Sequence, residues 1–236
     1  MIEAALILAT LATSALSAVA GMGGGITLLA VMAVLLPAEI VVPVHGLVQL
    51  SSNGTRTLLL LRHVHRPIFA YYIGPAIAGV FLGARWYVGS ELPWFRQAVG
   101  VFILLYLLTL LREPRLGRLP HWTFAPLGFV VGAFASLIGA TGPLIAPFFL
   151  RDDLDRRQVI GTKAAIQISV HLAKIPAFLL LGFAYGSTWR LWLPLVIAAV
   201  VGTSIGNRIL SSLSQEAFRR VFVTVLVLIS IQLLVF

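Results

Sequence analysis

Apolar runs recur along this chain from one end to the other, most of them close to the roughly 20 residues that a helix needs to cross about 30 Å of hydrocarbon. No stretch between them is long enough for a separate globular domain, so the pattern predicts a polytopic all-α membrane protein. Composition agrees: 59% of residues are hydrophobic and 11% charged, where soluble domains carry about a quarter charged residues. A soluble enzyme is excluded. Cysteine is absent, which removes disulfides, thiolate metal sites and Cys nucleophiles. Residues 4–20 end in Ala18-Val19-Ala20, which mimics a signal-peptide cleavage site, but the first charge is Glu3 rather than a basic residue. The segment also has a counterpart deeper in the chain, so it is expected to be the first membrane segment.

Ten segments are expected, at about 3–20, 25–36, 40–61, 67–88 and 95–111, then 122–138, 143–150, 158–181, 189–210 and 217–235. Five lie on each side of Arg112-Glu-Pro-Arg-Leu-Gly-Arg-Leu-Pro120, the most polar and proline-rich connector. The expected organisation is therefore a first membrane repeat at 1–111, a cytoplasmic linker at 112–121 and a second repeat at 122–236. A shift of 118 places Gly21 on Gly139, Gly24 on Gly142, Gln49 on Gln167, Ser51 on Ser169 and Arg56 on Lys174. A shift of 123 places Gly79 on Gly202, Gly83 on Gly206, Arg85 on Arg208 and Phe95-Arg96 on Phe218-Arg219. Ordered matches of this kind indicate duplication.

The second segment of each half reaches only about half way across the hydrocarbon. Each pairs with its predecessor as a short or re-entrant hairpin, tipped by Gly21-Met-Gly-Gly-Gly25 and Gly139-Ala-Thr-Gly-Pro143. A hairpin returns to its starting side and three further crossings follow, so the second half begins on the opposite face. The repeats are expected to be inverted. Basic residues give an independent check. One face collects eleven (Arg62, Arg66, Arg112, Arg115, Arg118, Arg151, Arg156, Arg157, Arg208, Arg219, Arg220) and the other three (Arg85, Arg96, Arg190). By the positive-inside rule the linker is cytoplasmic and both termini lie outside. The net charge of +9 is thereby explained without nucleic acid.

Polar groups within membrane segments are costly and mark function or partnered structure. In the third segment His45, Gln49, Asn53 and Arg56 fall on one helical stripe, and Lys163, Gln167, His171 and Lys174 repeat its spacing in the second half. The bland readings are snorkelling of the outer members and glutamines that join helices. A glycine-rich turn opening a helix lets backbone N–H groups approach an anion, and paired broken helices near the midplane are how many secondary transporters build a site. No acidic residue lies in the cores of the third segments, so the cargo is expected to be a small anion. The candidate binding residues are Gly23, Gly24, Gly25, His45, Gln49, Asn53, Thr141, Gly142, Lys163, Gln167 and His171. No cofactor, metal or nucleic acid is implied. The other partner is the bilayer, and the pattern is silent on oligomeric state.

The GMGGG run, the GATGP at the matching place and the two Gly-x-x-x-Gly-x-Arg runs (Gly79 to Arg85, Gly202 to Arg208) resemble the sulfite exporter TauE/SafE family over nearly the whole chain. That resemblance implies export of sulfite or organosulfonates across the cytoplasmic membrane without ATP. The second tip departs from a full glycine run at Thr141 and Pro143, and Thr141 offers a hydroxyl instead. Access would alternate as one repeat rocks against the other, with Ser51 and Ser169 as further donors and His45 and His171 as groups able to couple transport to protons.

Three other readings compete with this one. Gly202-Thr-Ser-Ile-Gly206 matches the serine-hydrolase elbow, but that motif works at a strand-to-helix turn, whereas here helix packing explains the glycines. A transition-metal or cation permease would use His45, His63, His65 and His171, yet no buried carboxylate offers charge to a cation. An uncoupled anion channel would share the cationic lining.

Overall fold

The computed structural model describes residues 1–20, 23–112, 118–149, 151, 153–209 and 215–235. Of the expected features, Gly21 and Met22 of the first tip and 113–117 of the linker lie outside the described residues. Helices run as α1 (Ile2–Ala20), α2 (Gly24–Leu35), α3 (Ala38–Leu60), α4 (Arg66–Gly89) and α5 (Phe95–Arg112), then α6 (Phe124–Leu137), α7 (Gly142–Ile145), α8 (Arg156–Leu180), α9 (Trp189–Ile209) and α10 (Gln215–Val235). Among the described residues there is no strand, and Arg66–Gly89, Arg157–Leu180 and Trp189–Gly206 are long and apolar enough to cross a membrane.

Local chemistry sets the ends. The α2 helix opens after Gly23, whose φ of 96° only glycine adopts without strain, and closes at Leu36 before Pro37. The α4 helix begins with Pro67 in its first turn and His65 Nδ1 accepting the Ile68 N–H. A capping box starts α8: Gln158 N–H donates to Asp155 Oδ1 while Asp155 N–H donates to Gln158 Oε1. The short seventh segment is a single α turn continued by a 3-10 turn, Ala146–Phe149. Pro147 sits in that second turn and brings no N–H to continue the α pattern.

The helices pack in matched pairs. Close contacts join α4 to α6 and α1 to α9. A Cβ at Gly79 would collide with the Phe129 carbonyl and one at Gly83 with that of Ala133. On the other pair, Gly202 meets the Leu11 carbonyl and Gly206 that of Ala15. A shift of 123 carries Gly79 to Gly202 and Gly83 to Gly206, and a shift of 118 carries Leu11 to Phe129 and Ala15 to Ala133, so the same contact is built twice. Backbone approach this close is the use membrane helices make of glycine.

The third segments cross each other between these pairs. A Cβ at Gly46 would touch Lys174 Cδ at 3.4 Å, one at Gly54 Ile168 Cδ1 at 3.6 Å, and one at Gly161 the Leu60 carbonyl at 3.0 Å. Rising numbers on α3 meet falling numbers on α8, so the two helices are antiparallel. Ser51 and Ser169 lie at the middle of that register and bond within their own helices, to Leu47 O and Ile166 O.

Candidate functional site

The tips of α1–α2 and α6–α7 come together beside the α3–α8 crossing. Gly139, with φ of 114°, lies so close to α2 that a Cβ there would be 2.6 Å from Leu29 Cδ1. At this junction is a cavity of about 30 Å³, lined by Ser17, Gly23, Gly25, Ile26, His45, Gln49, Asn53, Arg56, Ala140, Thr141, Gly142, Gln167 and His171. That is room for about one water molecule, so a larger guest requires the wall to yield.

Each half contributes a tip glycine and a glutamine from its long polar helix. A Cβ on Gly25 would be 3.1 Å from Gln49 Oε1, and one on Gly142 would be 3.4 Å from Gln167 Nε2. Each glutamine thus lies against the glycine of its own tip. Cations at matched positions hold the ends of the first helices: Arg56 donates to Ser17 O at 3.1 Å, and Lys174 Nζ donates to Gly139 O at 3.0 Å. Positive charge at a helix C-terminus complements the helix dipole. Arg56 also donates to Asn53 Oδ1 at 2.5 Å, and Asn53 Nδ2 donates to Gln49 O. These bonds fix Asn53 and Arg56 as one unit on the cavity wall.

The histidines form a pair across the halves. His45 Nε2 donates to Gly25 O at 2.9 Å, and the His45 and His171 rings meet edge to face with centroids 6.1 Å apart. The Nδ1 atoms of both are buried without a partner. Arg56, Lys163 and Lys174 are all buried, at 6%, 4% and 0% exposure. Among the described residues the ion pairs are Arg118 with Asp153 and Arg151 with Asp153, so none of these three cations has a carboxylate. Positive charge held this way in low dielectric favours an anionic guest.

Residues 6–233 match the family described as Sulfite exporter TauE/SafE, which is nearly the whole chain. The chain belongs to that family. No curated protein and no solved structure matches it. As a TauE/SafE protein it is a membrane transporter by family, and its polar stripes and glycine tips converge on one cavity.

Of the residues picked out from the sequence, Gly23, Gly25, His45, Gln49, Asn53, Thr141, Gly142, Gln167 and His171 line that cavity. Gly24 points instead at α1, where a Cβ would meet the Thr13 carbonyl and Ser17 Cβ. Lys163 is buried but off the wall. Sequence reasoning missed Ser17, Ile26 and Ala140, which carry no distinguishing signal in apolar surroundings, and left Arg56 out of the binding set although it completes the α3 stripe. Ser204 of the hydrolase-like motif bonds to Val200 O and is exposed, while its flanking glycines seat on α1.

Proposed function

We propose that this TauE/SafE protein exports sulfite or small organosulfonates across the cytoplasmic membrane by alternating access to a site at the junction of two inverted repeats, 1–111 and 122–236. The observation that carries the reading is the cavity where two glycine tips meet, walled by amides and imidazoles and flanked by buried cations without carboxylates. A sulfur oxyanion offers several acceptor oxygens and negative charge. Gln49, Gln167 and Thr141 are donors for the oxygens, with Arg56 and Lys174 supplying field. A cation permease would need the opposite sign of charge.

Inversion is supported by the antiparallel run of the matched helices α3 and α8 and by the twice-built glycine contacts. The arginine asymmetry supports a cytoplasmic linker. Sulfite and sulfonate flux measured in proteoliposomes tests the reading. Wild type should transport, and Gln49→Ala and Gln167→Ala should each lower kcat/KM about tenfold, the loss of one charge-assisted bond of roughly 1.4 kcal/mol. Equal flux in wild type and both variants refutes the site.

A further inference from the structure

We propose that Lys163 and Arg56 form a second station for the anion, on the linker side of the cavity, through which it passes between that face and the site above. This rests on the anion-transport reading and adds to it a direction and an access residue.

The antiparallel register gives the cavity two different ends. One end holds His45, His171 and Lys174: the two imidazole rings meet edge to face, and the Lys174 stem lies against Gly46. At the other, the register that sets Gly54 against Ile168 and Leu60 against Gly161 brings the turn of α3 that carries Arg56 alongside the turn of α8 that carries Lys163. This second end points to the linker: Leu60 packs on Gly161, the His65 ring lies 5.0 Å from that of His121, and Arg118 pairs with Asp153.

Lys163 is 4% exposed, and the described structure gives it no hydrogen bond and no carboxylate. An ammonium on a residue this little exposed, with no carboxylate beside it, is costly. Arg56 keeps Nε unpartnered while its other two nitrogens are occupied. Two facing cations with free donors repel one another until something negative lies between them. Arg56 also touches the cavity, so an anion held between Arg56 and Lys163 is one side-chain length from the main site. The outward route is polar as well: Thr162, the neighbour of Lys163, accepts the His65 N–H at 2.8 Å, and buried Arg151 at the rim keeps one guanidinium nitrogen unpartnered. The position matched to Lys163 in the first half is His45, which is already bonded to Gly25 O. The charged station therefore exists on one side only.

Sided transport of sulfite in membrane vesicles of both orientations tests this. With Lys163→Gln, KM for sulfite presented at the linker face should rise about tenfold, the effect of losing roughly 1.4 kcal/mol of attraction, while KM at the opposite face stays unchanged. Lys163→Arg should restore it. Lys163→His should make the linker-face KM, taken relative to wild type at the same pH, climb as pH rises through the imidazole range, a signature that a packing role would not give and that remains readable if the glutamine variant fails to fold. An unchanged linker-face KM, equal change at both faces, or a Lys163→His to wild-type ratio that does not vary with pH overturns the station. Absence of sulfite transport by wild type would instead overturn the proposed function.

Discussion

Replacing Gly83 by alanine puts a methyl group into the carbonyl of Ala133, where Ala133 Cα is already only 2.9 Å from the added Cβ. The obstacle is helical backbone, which has no rotamer to swing aside, so α4 and α6 must separate. Overpacking of this kind costs about 1–3 kcal/mol, and a rigid obstacle places it near the upper end. Alanine returns about 1 kcal/mol through helix propensity. The net loss is about 2 kcal/mol. Gly206→Ala on α9 should lose the same amount, because it meets Ala15 as Gly83 meets Ala133. Gly54→Ala is the control: its Cβ would sit at an ordinary 3.6 Å from Ile168 Cδ1, so it should gain up to about 1 kcal/mol. Reversible unfolding in mixed micelles, followed by helical circular dichroism, reads all three. If Gly83→Ala is as stable as Gly54→Ala, the close-approach argument fails. If Gly83 and Gly206 respond unequally, the equivalence of the two helix pairs fails.

Asp153→Asn should destabilise by about 2 kcal/mol in the same assay: it removes the carboxylate bound at two 2.6 Å contacts by the Arg151 guanidinium, whose side chain is wholly buried. The figure lies below the 3–5 kcal/mol typical of a broken buried pair because Asp153 is 23% exposed. Its hydrogen bond from Arg151 holds the Asp153 carboxyl below the usual carboxylate range, so this stabilisation is present above about pH 4 and should fade as acid protonates the group; a variant that loses stability in acid as steeply as wild type would contradict it. Burial, then His121 and Arg151, hold the His65 imidazole below its ordinary value. The unfolded chain then binds the proton more readily, stability falls as pH drops below about 6.5, and His65→Gln should flatten that slope. Because the chain lacks cysteine, single Cys residues report topology directly. Ser187→Cys should react with an impermeant thiol reagent from outside the cell and Arg118→Cys only from the cytoplasm; the reverse pattern would invert the orientation.

Much of the fold is legible in the sequence because hydrocarbon leaves helices few alternatives. The second segment was expected at 25–36 and is found at Gly24–Leu35, since glycine and proline mark its ends. The halved length of the seventh was equally visible, but its change from α to 3-10 at Ala146 was not. The stripes on α3 and α8 foretold most of the cavity wall, because 3.6-residue periodicity fixes which side chains share a face. Their fates then diverge with depth along the crossing: Gln49 and Gln167 sit near its centre and both reach the cavity, while Lys163 lies toward one end and does not. Helical periodicity says nothing about that offset, which depends on where two helices cross. Gly24 failed for a related reason: in a run of glycines, nothing in the sequence says which one faces the neighbouring helix and which the void.

The paired glycine contacts also limit which parts can move as bodies. Both tight seams, α1 with α9 and α4 with α6, join a helix of one half to a helix of the other. Swinging one entire half against its mate would tear both seams at once. Two mixed plates sliding past the central crossing would leave them intact, so a disturbance introduced at one seam is felt in both halves of the chain.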